Sequence, residues 1–133
     1  MRWYRPVALV AFAALTAAPA TAGPLTVRVG ESWVFSLQRG DPVRARRVKP
    51  SSAPAAGQIK VTVVAGMGTA MTVTNNSRTA YTFHAELIGA PNGKPRTCTL
   101  PAKAVPTLEY WPVKAKAVRI GSFRAASADG SCP

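Results

Sequence analysis

The chain has 133 residues, 47% of them hydrophobic, with seventeen Lys or Arg against five Asp or Glu and a formal net charge of +12. That length suits one small domain and leaves no room for two. A single histidine and five scattered carboxylates make a thin inventory for catalysis, and the charge draws polyanions rather than basic partners.

The first element is an export signal. Arg2 and Arg5 precede an apolar run at 7–18, and Ala20-Thr21-Ala22 follows it with small side chains two apart, as a signal peptidase requires. The run is too short for a bilayer, which takes about 20 apolar residues, and Pro19 interrupts helix continuation. A signal peptide at 1–22, cut between Ala22 and Gly23, is therefore expected. No cysteine follows the run to carry a lipid, and Arg2-Trp3 is not a twin-arginine pair. The expected location is the periplasm or the extracellular space, with no membrane span left after cleavage. Without Arg2 and Arg5, fifteen basic residues face five acidic ones, a net charge of +10.

Residues 23–133 alternate at period two, the mark of half-buried strands. Leu25, Val27 and Val29 face one way, and after a Gly30 turn Trp33, Phe35 and Leu37 repeat the pattern. Arg44-Ala45-Arg46-Arg47-Val48-Lys49 then runs into a Pro/Ser/Ala/Gly stretch and reads as a solvated, mobile element. Arg44, Arg46, Arg47 and Lys49 are the candidate anion-binding set. No aromatic lies between Arg39 and Gln58 to stack on bases, so no specific nucleic-acid partner is expected.

Ile59, Val61 and Val63 form the next alternation, and Met71 and Val73 the one after. Gly66-Met67-Gly68 between them is either a hairpin turn or a kink in one long strand. Asn75-Asn76-Ser77-Arg78 is a turn signature and predicts a hairpin to Tyr81, Phe83, Ala85 and Leu87. Short strands follow at 96–100, 108–113 and 116–124. The last carries Val118 and Ile120 on one face and Phe123 on the other. Seven or eight short strands without a sustained helical period imply a single antiparallel β-sandwich over 23–133, with a small closed barrel as the alternative.

Residues 71–87, a β-branched strand, an Asn-rich turn and a second strand, resemble a strand pair of the immunoglobulin-like domains of exported bacterial proteins. That resemblance implies an immunoglobulin-like sandwich of about seven strands and carries no activity with it.

Cys98 and Cys132 are the only cysteines, and the oxidising compartment implied by the signal favours one disulfide between them. No Gly-x-Ser-x-Gly turn marks a nucleophile. A catalytic role would need a pocket bringing His84, the one histidine, to a carboxylate and a hydroxyl. An alternative function is copper carriage by His84, Met67 and Met71, whose imidazole and thioethers suit Cu(I). Tyr110 and Trp111, adjacent on a strand, must face opposite ways, so one of them is a candidate exposed aromatic beside Lys114 and Lys116. The leading expectation is a non-enzymatic, cofactor-free binding module of the bacterial cell envelope. Its basic surface would meet an envelope polyanion, a membrane surface or another envelope protein.

Overall fold

The computed structural model describes residues 23–91 and 96–126. The expected signal at 1–22 and Cys132 lie outside the described residues, and Cys98 is placed only by its backbone register opposite Phe83. Among the described residues there are nine strands and no helix: β1 Leu25–Arg28, β2 Ser32–Gln38, β3 Asp41–Val48, β4 Gln58–Ala65, β5 Thr69–Asn76, β6 Tyr81–Ile88, β7 Arg96–Leu100, β8 Thr107–Trp111 and β9 Ala117–Ala125. They form two antiparallel sheets, ordered β1-β9-β6-β7 and β3-β2-β4-β5-β8.

The sheets bury their inner faces against each other. Val27, Phe83, Leu87 and Ile120 from the first meet Phe35, Val61, Met71 and Val73 from the second in one core. This is the all-β sandwich that the period-two pattern implies.

Three expectations change in the fold, and one open alternative is decided. The basic run is not a loop but most of β3, joined to β2 by a two-residue turn at Arg39 and Gly40 with φ of 52° and 81°. Positive φ at both central positions matches the strand twist of a hairpin. A Cβ on Gly40 would sit 2.6 Å from the Phe123 carbonyl oxygen, so glycine is required there. Charge hid the strand because β3 lies at a sheet edge, where only part of its surface needs to be apolar.

The second change is at residues 75–78, which do not make a hairpin. β5 already has β4 and β8 on its two sides, so it offers β6 no free edge, and the chain arches over to the other sheet. Asn75 holds that corner. It is wholly buried, and its Nδ2 donates to the Thr79 carbonyl at 2.7 Å and the Pro101 carbonyl at 3.4 Å.

Of the two alternatives at residues 66–68, the hairpin turn is the one present, since β4 and β5 pair in register from Gln58↔Asn76 to Ala65↔Thr69. The third change is that Phe123 shares the inner face with Val118 and Ile120. The register of β6 with β9 slips between Thr82 and His84, a bulge in which Ser122 takes φ 53°. One extra residue turns the next side chain to the opposite face. Phe123 then stacks on Phe83 at 5.2 Å and meets Phe35 edge-on at 5.7 Å, joining the two sheets.

Candidate functional site

The four basic residues singled out by sequence do not converge. From Arg44 to the end of β3 at Val48 the strand extends about 13 Å, Lys49 lies just beyond it, and the residues diverge along the run. Arg46 stands on the outer face, in register with Val34 and, beyond it, Lys60. Arg47 lies in register with Trp33 toward the opposite end and pairs with Glu31 at 3.3 Å. Glu31 also accepts from the Arg28 backbone N–H at 3.0 Å and from the Trp33 Nε1–H at 3.4 Å. These bonds, the backbone one foremost, hold its carboxyl below the ordinary range. Charged residues on an edge strand also discourage edge-to-edge pairing, a structural use that Arg46 satisfies without any ligand, and Lys49 follows the end of β3.

Arg44 alone reaches a concave site. At the end of the sandwich where β5 arches into β6, a depression of about 310 Å³ is lined by Ser36, Arg44, Asn75, Ser77 and Tyr81 among others. It adjoins a wider, open one of about 620 Å³ that includes Asn76, Arg78 and Lys103. Both share Ala56, Gly57 and Ser77, so they form one cleft. Among the described residues three cations line it and no carboxylate does.

The cleft is assembled from four separate segments: β2–β3, the stretch at 56–59, the stretch at 75–81, and the turn at Lys103. The 50–57 loop is tied down where the Gly57 N–H donates to the Asn76 carbonyl at 2.6 Å and Asn76 Nδ2 donates to the Pro54 carbonyl at 2.9 Å. Lys103 is placed by its own N–H, which donates to the Ser77 carbonyl at 3.0 Å, while the Ala104 N–H donates to the Asn75 carbonyl at 2.8 Å. Arg44 and Lys103 have φ of 51° and 65°, a region that side-chain-bearing residues rarely occupy. Strain of this kind collects at functional positions.

Asn75 adds a polar group with a definite orientation. Its NH₂ faces two carbonyls, which fixes the amide and leaves Oδ1 buried with no hydrogen-bond partner among the described residues. Sequence reading missed Arg78 and Lys103 because each is a lone cation in a turn. The only available signal was the Asn/Ser turn itself, read as a hairpin rather than as the wall of a site. The match to a glycosylation acceptor at Asn75-Asn76-Ser77 falls on a side chain with no exposure.

The copper set is not brought together. Met71 is inside the core, Met67 is 93% exposed at the tip of the β4–β5 turn, and His84 is exposed on the outer face of the other sheet. Among the described residues no group of three or more His, Cys, Asp or Glu is placed to hold a metal. His84 does line a depression of about 180 Å³ with Glu86, Arg119 and Ser122, the combination that a catalytic reading asks for. There Glu86 faces Arg119 at 3.8 Å, and no hydrogen bond joins His84 to Glu86 or Ser122. A nucleophile and its base ordinarily stand within such a bond. Of the adjacent aromatics, Trp111 is buried and Tyr110 is the exposed one.

Among the described residues no helix is long and apolar enough to cross a membrane. Searches found no protein-family model, no curated protein and no solved structure that matches this chain.

Proposed function

We propose that this chain is an exported, non-enzymatic binding module that holds an anionic polymer of the cell envelope in the cleft of Arg44, Arg78 and Lys103. The observation carrying this reading is the composition of the cleft among the described residues: three cations, hydroxyls and amides, and no lining carboxylate. Opposing charge within the cleft would neutralise the field, whereas concentrated like charge in a concave wall focuses it on an incoming anion. Export rests on the residues at 1–22, and it restricts the available anions to acidic glycans, lipid head groups and wall polymers. An acidic envelope protein or an anionic membrane surface would be drawn by the same charge.

The immunoglobulin-like form of the sandwich belongs to this proposal, and strand order supports it. In an immunoglobulin variable domain one sheet runs B, E, D and the other G, F, C, C′. Here β8-β5-β4 and β7-β6-β9-β1 stand in those orders, with the chain crossing between sheets at β5 to β6 and β8 to β9. β1 takes the place of C′, so chain order is rotated relative to an antibody domain, and β2 and β3 widen one sheet.

Retention of residues 23–133 on peptidoglycan, lipopolysaccharide, anionic vesicles and an immobilised polyuronate, at low and at high salt, tests the function. Retention on at least one of them that salt reverses is expected, and reversing the charge at Arg78 and Lys103 should abolish it. Absence of salt-sensitive retention on all four would overturn the proposal.

A further inference from the structure

We propose that the end of the sandwich opposite the cleft docks on an anionic lipid surface, with Met67 and its apolar neighbours entering the headgroup layer and Lys114 and Lys116 meeting the headgroups. This surface is separate from the cleft and does not rest on what the cleft holds.

The tip is a turn without a polar side chain. Ala65, Gly66, Met67 and Gly68 carry β4 into β5, where turns ordinarily place Asn, Asp, Ser or Pro beside Gly. Met67 projects from it with 93% of its surface in solvent, and Val64 behind it is 47% exposed. Register carries the apolar surface sideways across the sheet. Val64 stands opposite Ala70, and Ala70 opposite Tyr110, whose side chain is half exposed on the same outer face. Tyr is at home where apolar and polar layers meet.

The loop at 112–116 is fastened to this turn and brings the charge. Gly68 lies so close to residue 111 that a Cβ on it would overlap the Trp111 carbonyl oxygen. The buried Thr69 Oγ1 donates to the Val113 carbonyl at 2.9 Å and accepts from the Ala115 N–H at 2.9 Å. Val113, itself exposed, is thereby held at the base of the turn, with Lys114 and Lys116 exposed just after it. Glu31 belongs to the adjoining β1–β2 turn, where the Gly30 N–H donates to the Val63 carbonyl. Its carboxylate is already paired with Arg47, so it cancels little of this charge.

Shape and charge together select lipid over protein. A convex tip offers little area to a rigid partner, whereas a headgroup layer deforms around apolar side chains. Cations beside those side chains match anionic headgroups, each strengthening attachment about fivefold. β4 spans eight residues, about 23 Å, from the cleft residue Ile59 near its start to the tip at its end. A molecule seated by its tip therefore turns the cleft away from the bilayer, and it would bridge a membrane to an envelope polymer.

Flotation with vesicles of phosphatidylcholine alone, and of phosphatidylcholine mixed with phosphatidylglycerol, tests this on residues 23–133, which hold all nine strands and the core. Wild type should float with the mixed vesicles and not with the neutral ones. Met67→Asp should weaken attachment at least about tenfold with an unchanged melting temperature, since Met67 lies outside the core. Lys114→Gln with Lys116→Gln should weaken it roughly 25-fold. In Met67→Trp, emission in excess of wild type should shift to the blue on the mixed vesicles. Arg78→Glu with Lys103→Glu should leave vesicle attachment in place while polyuronate retention is lost.

Equal flotation of wild type and Met67→Asp, or no flotation of wild type with the mixed vesicles, would overturn the membrane tip. So would a concentration-dependent dimer in sedimentation that Met67→Asp abolishes, which would assign the surface to a second copy of the chain. In each of those cases salt-sensitive retention on the polyuronate would leave the cleft standing.

Discussion

Arg44 and Lys103 place cleft cations on left-handed backbone, and the strain and the function should separate on mutation. Left-handed backbone costs a residue with a side chain about 1–2 kcal/mol, partly offset in a glycine variant by the freer unfolded chain. Lys103→Gly should therefore raise stability by about 0.5 kcal/mol while weakening polyanion retention, measured by denaturant titration and salt elution. A variant that loses stability would show that the Lys103 side chain holds the turn. Glu31 makes the opposite kind of contribution. Its folded carboxyl is held below its ordinary value near 4.5, chiefly by the Arg28 N–H. The stability this gives is present above that value and is lost as pH falls through the lowered folded one. Melts between pH 6 and about 3 should show Glu31→Gln less acid-sensitive than wild type, and equal acid sensitivity would refute the assignment.

At the scale of elements, bulges and corners matter more than strand propensity. The bulge at Ser122 is what turns Phe123 inward, and that ring then touches Phe35, Phe83 and Tyr81. Phe123→Ala should cost about 3–5 kcal/mol in urea unfolding, as buried aromatic truncations do. A loss below about 1 kcal/mol would mean that the ring is not the joint between sheets. Strict alternation along 116–124 put Phe123 on the wrong face, because a bulge has no residue code of its own. The same holds for β3, where Arg44 breaks the alternation at the slip between Val34 and Ser36. The Asn-rich stretch at 75–78 was legible as a break between two strands, and the hairpin expected there is absent. Whether it joined neighbours or crossed between sheets depended on β8, which closes the far side of β5 from thirty residues downstream.

For the whole molecule, the charge asymmetry and the small core set the terms. Anion binding through Arg44, Arg78 and Lys103 should weaken steeply with salt, since screening at 0.15 M acts over about 8 Å. A polyanion interaction indifferent to salt between 50 mM and 500 mM would point to some surface other than this cleft. The disulfide expected between Cys98 and Cys132 closes a loop of thirty-odd residues, for which loop entropy predicts about 3.8 kcal/mol. Paired thermal melts with and without reductant should show that loss, and coincident curves would mean that the bond is absent or idle. Much was determined by the sequence alone. Period-two alternation set the strands and the all-β class, because the backbone pleat points successive side chains to opposite faces wherever the core lies. Net charge likewise follows from composition. What only the tertiary structure decided is which sheet each strand joins, which face Phe123 takes, and which cations meet. Arg44, Arg78 and Lys103 are far apart in the chain, and only the β5–β6 arch and the backbone bonds that pin Lys103 to it place them around one cleft.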